Sequence, residues 1–426
     1  MREMKDSGIE WVGKVPKIWS LKPIRALFDE VTEKNFLGTC SNALKFTYGS
    51  IVRKPNFDAD ADDYVASTIL NYTVVEPGTI MLNGLNLNFD FVSQRIGLVK
   101  EKGVITSAYM AFKPNEKHLI DSEFANYLFK AYDGCKAFHN MGGGVRKILN
   151  FNEFKKYYIP LPDLNEQQHI VDLLDTKCSE IDATAEDIQK EIAFLEEYKK
   201  SVITEAVTKG LNPDAEMKDS GIEWIGEIPK HWKVIRFKYI AIVKSNLVAP
   251  IRYMNYPQIA PDVIEKNTGK IISHRSVEEA NVDSWNHLFY KGQILYSKIR
   301  PVLNKVVIAP YDGLCSADMY PISAKENVRF LQYIMLSAFF VKQVDLVTRD
   351  RIKMPKINQD ELGNILLVWT SKEEQQQIAD FLDSKCSEID SLIADKKRQL
   401  DILADYKKSL IYEYVTGKKE VPVKDF

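Results

Sequence analysis

Two short polar segments carry the residue types that bind phosphates and base edges. One is Gly142–Lys147, which ends in Arg146 and Lys147, and the other is Thr348–Lys353, which holds two arginines and a lysine. Glycine lets a backbone approach a ligand closely, and a neighbouring arginine grips a phosphate or forks onto a guanine edge. We interpret both segments as ligand-contacting loops. The alternative is a solvated turn between a helix and the next strand.

The sequence contains no catalytic motif that we recognise. There is no Gly-x-Gly-x-x-Gly, P-loop, His-Glu-x-x-His or Asn-Pro-Pro-Tyr segment, and the six histidines show no metal-ligand spacing. Pro261-Asp262 followed by Glu265-Lys266 is similar to a nuclease motif, but the Glu-to-Lys spacing is wrong, so we interpret it as a surface turn. The five cysteines form no Cys-x-x-Cys pair and are expected to stay reduced. The sequence therefore predicts a chain without catalysis, metal or cofactor of its own.

Two long helices related by 208 positions are the elements that must hold these loops. The first is predicted over Glu166–Val207, and the second begins at Glu374. Their apolar residues recur at alternating steps of four and three, which is the seam of a coiled coil. We predict an antiparallel pair in which the seams bury each other; the alternative is two amphipathic helices on separate cores. The seam residues are Leu174, Cys178, Ile181, Ile188, Ile192, Leu195, Leu382, Cys386, Ile389, Ile393, Leu400 and Leu403.

The copies share polar residues as well, which favours duplication of one ancestral unit. Glu-Gln-Gln and Cys-Ser-Glu-Ile-Asp occur in both helices at the same offset. Two lysines, Lys199 and Lys407, interrupt the seams. Such side chains either extend to water along their stems or mark where a partner helix meets the pair.

A second duplicated segment opens each half of the chain. Met4–Pro16 returns as Met217–Pro229 with ten of thirteen positions identical, and Trp19 and Trp232 follow at the same offset. Glycines and a proline mark turns between its apolar residues. We predict that this head segment packs onto a larger body.

The segments between the duplicated parts predict mixed α+β domains. Apolar and β-branched runs separated by Gly, Pro and Asn indicate short strands. Helices are predicted over Leu21–Phe36, Asp121–Tyr132 and Val328–Leu346. The predicted division is a first globular domain over 1–160, a long helix over 161–213, a second globular domain over 214–368, and a second long helix with a tail over 369–426.

Composition excludes some classes of protein. An apolar content of 45% and a charged content of 27% are ordinary for a globular chain. No run approaches the roughly 18 apolar residues of a membrane span, and the N-terminus lacks the apolar core of a signal peptide. We therefore expect a cytoplasmic protein with no membrane partner. The net charge of −2 conceals a positive excess in the two globular domains, which mildly favours nucleic-acid binding.

The chain resembles the specificity subunit of type I restriction-modification systems. The resemblance covers essentially the whole chain and rests first on the order globular domain, long helix, globular domain, long helix. Pro160-Leu161-Pro162, the following Glu-Gln-Gln with Ile170, and the run Gly292–Pro301 with Asn304-Lys305 add to it. The chain departs from the pattern at Leu366–Thr370, which stands where the first half has Ile159–Pro162.

The resemblance implies a fold and a set of partners. Each globular domain is expected to be a target recognition domain that reads one half of a split, asymmetric target in the major groove of double-stranded DNA. The paired helices are expected to form an antiparallel coiled coil with pseudo-twofold symmetry, to set the spacing between the halves, and to dock two methylase subunits. Those subunits would methylate adenine with S-adenosylmethionine, and restriction subunits would be further partners.

Geometry agrees with that expectation. A helix over Glu166–Val207 is roughly 60 Å long at about 1.5 Å per residue. Two recognition domains that are about one helical turn of DNA apart, roughly 34 Å, face the same side of a duplex. The residues predicted to contact DNA are Gln94, Arg95, Arg146, Lys147, Lys298, Arg300, Asn304, Lys305, Arg349, Arg351 and Lys353.

Two other functions stay open from the sequence. A coiled-coil adaptor that binds proteins without DNA specificity would tolerate exchange of its globular domains. An enzyme with an unrecognised site would transfer methyl groups or cut DNA by itself.

Overall fold

The computed structural model describes residues 2–47, 49–55, 68–89, 94–143, 147–351 and 353–422. The chain divides into two compact units. Unit 1 comprises Met1–Asp187 and Arg398–Phe426, and unit 2 comprises Ile188–Lys397. Each long helix therefore contributes residues to both units. The predicted four-part division at residues 160, 213 and 368 stays a prediction.

The first half of the chain forms short strands followed by one long helix. Its strands are β1 (Met4–Asp6), β2 (Lys14–Pro16), β3 (Ser20–Pro23), β4 (Phe28–Glu30), β5 (Leu44–Thr47), β6 (Ser50–Arg53), β7 (Thr73–Val75), β8 (Ile80–Leu82), β9 (Ile96–Leu98), β10 (Gly103–Ile105), β11 (Met110–Pro114) and β12 (Tyr158–Leu161). Its helices are α1 (Ser122–Gly134), α2 (Phe151–Phe154) and α3 (Leu164–Lys209).

The second half repeats this plan. Its strands are β13 (Met217–Asp219), β14 (Glu227–Pro229), β15 (Lys233–Arg236), β16 (Ala241–Val243), β17 (Leu247–Val248), β18 (Gln258–Ile259), β19 (Asn286–Phe289), β20 (Ile294–Ser297), β21 (Val306–Ile308), β22 (Gly313–Cys315), β23 (Met319–Ala324) and β24 (Leu366–Trp369). Its helices are α4 (Phe237–Ile240), α5 (Val328–Leu336), α6 (Ala338–Thr348), α7 (Gln359–Asn364) and α8 (Lys372–Val415).

The largest described sheet of unit 1 has the antiparallel order β4-β11-β8-β9, and β12 pairs with β3. Helix α1 begins where the Asp121 side chain accepts hydrogen bonds from the Glu123 and Phe124 N–H groups. The apolar face of α1 lies in the same buried cluster as Phe28 and Phe112 of the sheet. Burial of this face accounts for the core of the unit.

Unit 2 has an equivalent antiparallel sheet with the order β16-β23-β20-β21. A further sheet, β17-β19-β22-β18, includes the parallel pair β18–β22. Asn327 caps α5 as Asp121 caps α1. Strand β24 pairs with β15 as β12 pairs with β3, so the departure from the family pattern at Leu366–Thr370 leaves this pairing intact.

The two long helices pack together in each unit, as predicted. In unit 1, Leu174 and Ile181 of α3 share a buried cluster with Leu410 and Val415 of α8. In unit 2, Ile203 and Val207 of α3 share a cluster with the early residues of α8. Ion pairs of unit 2 fix the direction: Lys199 binds Asp390, whereas Glu191, earlier on α3, binds Lys396, later on α8. The pair is therefore antiparallel.

The predicted seam residues are mainly buried. Leu195, Leu400 and Leu403 are half-buried, and the other predicted seam residues are buried. The seam lysines make ion pairs between the helices: Lys199 with Asp390 in unit 2, and Lys407 with Asp182 in unit 1. Because these pairs are related by 208 positions, the duplicated Ile-Asp of the sequence supplies both carboxylates.

A buried polar junction joins the long helix to the globular part of unit 1. The Trp19 indole N–H donates to Glu166 Oε2 at 2.8 Å. Gln167 is fully buried; its amide donates to the Pro162 carbonyl at 2.9 Å and accepts from the Asp121 N–H at 2.8 Å. The junction therefore holds the head, the start of α3 and the start of α1 together.

Unit 2 contains the same junction. The Trp232 indole N–H donates to Glu374 Oε2 at 3.0 Å. The buried Gln375 amide donates to the Thr370 carbonyl at 2.8 Å and accepts from the Asn327 N–H at 3.4 Å. The Glu-Gln-Gln identity between the copies thus has a structural cause.

Two predicted helices are wrong in detail. Leu21–Phe36 holds β3, a 3₁₀ turn (Ile24–Ala26) and β4, because residues distant in sequence offer these strands pairing partners. Val328–Leu346 is broken into α5 and α6 at Ser337, with a bend of 62°. The Ser337 hydroxyl donates to the Ile334 carbonyl at 2.5 Å and its ψ of 154° leaves the helical region.

The Lys199–Asp390 ion pair generates a pH-dependent prediction. Burial acts to raise the pKa of Asp390, but Lys199 and Lys270 outweigh it and hold the pKa below its usual 3.8. The pair therefore contributes fully above pH 3.8, and its contribution is lost as the pH falls through the lowered pKa. We expect Asp390→Asn to reduce the free energy of unfolding by about 1–2 kcal/mol at pH 7.

Urea unfolding of the full chain, followed by circular dichroism between pH 7 and pH 2, measures this effect. The difference between wild type and Asp390→Asn should shrink at the acid end. Asp405→Asn is the matched control, because Asp405 pairs with Lys408 on the exposed surface of the same helix; its effect should be close to zero. A constant difference across the pH range would contradict the assignment.

Candidate nucleic-acid interface

Each unit holds two loop segments side by side at one end of its main sheet. In unit 1, loop pair 1 consists of Asn83–Phe89, which follows β8, and 147–149, which precedes α2. The Leu87 N–H donates to the Lys147 carbonyl at 3.1 Å, and the Leu149 N–H to the Gly84 carbonyl at 3.0 Å. A Cβ at Gly84 would lie 2.3 Å from the Leu149 carbonyl oxygen, so this approach requires glycine.

Loop pair 2 of unit 2 is built in the same way. It consists of Lys298–Asn304, which follows β20, and 353–357, which precedes α7. The Arg300 N–H donates to the Pro355 carbonyl at 2.8 Å, and the Ile357 N–H to the Lys298 carbonyl at 2.9 Å. The structure therefore brings together two groups of predicted DNA contacts that are about 50 residues apart in the sequence.

The backbone is fixed at the end of both loop pairs. Asn150 and Asn358, which are 208 positions apart, cap α2 and α7 by accepting hydrogen bonds from the Glu153 and Glu361 N–H groups. Such caps stabilise a helix start by roughly 1 kcal/mol. Loops held at both ends in this way present their side chains in a defined position.

Loop pair 2 and the end of α6 present a basic surface. Arg300, Arg349, Arg351 and Lys353 are exposed. Arg349 lies 4.0 Å from the Asp350 carboxylate, at the outer limit of an ion pair. These four side chains are placed where a polyanion can reach them.

Two cations of this surface are partly neutralised. Arg351 forms an ion pair with Glu361 and also donates to the Lys356 carbonyl. Burial acts to raise the pKa of Glu361, but Arg351 and the Asn358 N–H lower it. Lys356, which the sequence analysis missed, lies 3.2 Å from Asp318. Its signal in the sequence was only its position near other cations.

Three further predicted contacts in unit 2 have structural roles. Asn304 is fully buried and its amide donates to the Met335 carbonyl at 2.9 Å, so the structure gives it a structural role and its contact with DNA stays a prediction. Lys298 and Lys305 are half-buried and donate to the carbonyls of Ala317 and Pro261. Their ammonium groups are thus held by the fold.

Unit 1 places its predicted contacts differently. Arg95 is fully buried and donates to the carbonyls of Asn83 and Leu85 at 2.9 and 2.8 Å, so the structure gives it a structural role and its contact with DNA stays a prediction. Gln94 and Lys147 are exposed, and the Lys147 Nζ donates to the His139 carbonyl at 3.4 Å. Arg146 lies outside the described residues.

Two residues of loop pair 2 adopt left-handed backbone conformations. Arg300 has φ 44° and ψ 53°, and Asn304 has φ 45° and ψ 56°. They flank the turn Pro301–Leu303. This region costs an ordinary L-residue roughly 1–2 kcal/mol, although asparagine tolerates it better. The arginine is the less expected of the two.

Neither a metal centre nor a single membrane helix is found within the described residues. No three His, Cys, Asp or Glu side chains come close enough there to hold a metal ion. No single helix in the same part of the chain is long and apolar enough to cross a membrane, although α5 and α6 together reach that length and composition with a bend of 62°.

Comparison with known proteins finds one family profile and several similar proteins. A profile described as the type I restriction modification DNA specificity domain matches residues 23–193. The EcoDI specificity subunit of Escherichia coli is 31% identical over 287 residues, which span 64% of this chain and 64% of that subunit. The MjaVIII specificity subunit of Methanocaldococcus jannaschii is 25% identical over 96% of this chain and 94% of its own length.

Residues 23–193 thus match the specificity-domain family, and the chain as a whole is similar to type I specificity subunits. The resemblance drawn from the sequence is therefore confirmed. A solved structure concerned with assembly and conformational transition of the type I R-M system covers 95% of this chain and 99% of its own, with a TM-score of 0.71 and 12% identity. That likeness concerns the fold alone.

Substitution of a buried cation should destabilise the protein much more than substitution of an exposed one. Arg95→Met leaves two part-buried carbonyls without their donor and removes a fully buried side chain, so we expect the free energy of unfolding to fall by about 2–3 kcal/mol. Lys353→Met at the exposed surface should change it by less than about 0.5 kcal/mol. Urea unfolding measures both. Equal effects of the two variants would contradict the placement of Arg95.

Proposed function

We propose that this chain is the non-catalytic DNA-recognition subunit of a type I restriction-modification complex. Each globular part reads one half of a split, asymmetric target in the major groove of double-stranded DNA. The observation that carries the proposal is the exposed basic surface at loop pair 2 and the end of α6, formed by Arg300, Arg349, Arg351 and Lys353. Unit 1 offers the exposed Lys147 of loop pair 1 and the exposed Gln94.

The arrangement favours a division between positioning and reading. Lysines on flexible stems suit phosphates, whereas arginine and glutamine fork onto base edges. The duplicated junctions and helices supply the same frame in both halves. The loops that differ between the halves supply two different readings.

The long helices suit a role in spacing. α3 has 46 residues and α8 has 44, and each contributes to both units. A helix of 46 residues is roughly 69 Å long at about 1.5 Å per residue. We propose that this pair sets the gap between the two half-sites.

Methylase docking has its own support on the helices. Phe194 and Tyr198 of α3 are 70% and 42% exposed, and Ile402 and Tyr406 of α8 are 60% and 51% exposed. The second pair lies 208 positions after the first, so the duplication presents two like apolar surfaces. Exposed apolar residues of this size mark contact sites for other proteins. Two surfaces of one kind suit two copies of one partner.

The chemistry then belongs to the partners. We propose that two methylase subunits bind these surfaces, hold S-adenosylmethionine and methylate adenine, with restriction subunits as further members. The alternative is an adaptor that binds proteins without DNA specificity. The basic loop surface argues against it, because binding to proteins alone does not require exposed arginines on a fixed loop.

Selection from a random duplex library tests DNA recognition. The chain with its methylase should enrich one split sequence with a constant gap. Its affinity should fall by roughly 10³-fold or more between 50 and 200 mM salt if six or more phosphates are contacted. Exchange of residues 20–160 for those of another specificity subunit should change one half of the sequence only. Enrichment of no sequence in the presence of the methylase would contradict the proposal.

Native mass spectrometry tests docking. Phe194→Lys should reduce the complex from two methylases to one, and Phe194→Lys with Ile402→Lys should remove both, because a charge in an apolar contact is not compensated. Glu196→Lys, an exposed substitution on another face of α3, is the control and should keep both methylases. Full occupancy in the double variant would exclude these surfaces.

A further inference from the structure

The turn Pro301–Leu303 is flanked by two left-handed residues that differ in what holds them. Asn304 is buried, its amide donates to Met335 and its carbonyl accepts from the Asn267 N–H at 3.2 Å. These bonds explain why the fold keeps asparagine there. Arg300 is exposed, and within the described part of the chain no hydrogen bond or ion pair to its guanidinium is found.

Glycine would satisfy the backbone at residue 300 with less strain. The chain instead carries a long cationic side chain at that position. Strained backbone held by its surroundings concentrates at functional sites, and the inference runs from the observed strain to a function. Arginine differs from glycine at this position by its side chain, which ends in the guanidinium group. The strained backbone is therefore explained if the guanidinium carries a function.

The surroundings of Arg300 hold its backbone while leaving its side chain exposed. Its N–H donates to the Pro355 carbonyl, and Ile299 bridges to Lys356 on the neighbouring segment. Lys356 is paired with Asp318, whereas Arg351 is paired with Glu361. Among the arginines of the basic surface, Arg351 is paired with Glu361, whereas Arg300 combines a fixed backbone with a guanidinium that has no partner among the described residues.

We propose that Arg300 is a specificity-determining residue of unit 2 and forks onto the major-groove edge of a guanine in its half-site. This assignment rests on the proposed function. Arginine binds the O6 and N7 acceptors of guanine with two parallel donors, and a rigid base makes that contact selective. Arg349 and Lys353 lie on the surrounding surface and contact phosphates.

Arg300→Gly tests the assignment without endangering the fold, because glycine accepts the left-handed backbone. We expect an unfolding temperature no lower than that of wild type. Discrimination of guanine from the other bases at one position of one half-site should fall from roughly 10- to 100-fold to near unity. The other half-site should be read as before. Binding is measured by fluorescence anisotropy with the full chain, its methylase and the selected duplex.

Three further variants separate reading from positioning. Asn304→Gly keeps the left-handed backbone of the same turn but removes the side-chain hydrogen bond to Met335, so it should lower the unfolding temperature while leaving the recognised sequence unchanged. Arg300→Lys keeps the charge but loses the fork, so discrimination should still collapse. Lys353→Ala should weaken binding to all duplexes alike and reduce the salt slope by about one.

Three results overturn the inference. If Arg300→Gly keeps full discrimination at every position of a split target, Arg300 does not read a base although the proposed function stands. The same holds if it weakens all duplexes equally and lowers the salt slope, which marks a phosphate contact. If the wild-type complex selects no sequence, the proposed function itself fails and this inference fails with it.

Discussion

The hydrogen bonds at the start of each long helix are the constraint on which the rest of the structure depends. A glutamate binds the indole of the head segment, and the next glutamine is buried with its donor and acceptor both bound to backbone groups. A buried amide left without partners costs roughly 1–3 kcal/mol. The junction therefore admits one orientation of the globular part on its helix. A protein that reads DNA at fixed positions needs that rigidity.

This constraint explains why some segments of the two halves are nearly identical and others are not. The head, the Glu-Gln-Gln triplet and the Lys–Asp pairs of the helices all take part in the same local contacts in both units. Their residues must therefore match. The loops after β8 and β20 need only a fixed backbone, which the bonds to 147–149 and 355–357 supply. Their side chains are free to differ, as two unlike DNA half-sites would require.

The sequence predicted the long helices, their seam and the mixed α+β domains, because heptad spacing and near-verbatim repeats are local signals. It could not place Arg95, because burial of an arginine depends on carbonyls brought together by β8 and the loop after it. The burial of Asn304 could not be predicted for the same reason, since Met335 becomes its partner only in the folded unit. The helix predicted over Leu21–Phe36 does not form, because this segment contributes strands β3 and β4, which pair with β12 and β11. Those partners lie far along the chain, so no local signal indicates the pairing. The helix break at Ser337 was not predicted, because no glycine or proline stands there to indicate it in the sequence.

The central claim is that two different readers on one duplicated frame recognise a single split sequence. Genome-wide mapping of methylated adenines, in cells with and without this chain but with its methylase in both, tests that claim most directly. The account predicts methylation at one asymmetric motif with two fixed halves and a constant gap, present only when the chain is present. Methylation that is unchanged by the chain, or two half-motifs that occur independently with variable gaps, would contradict it.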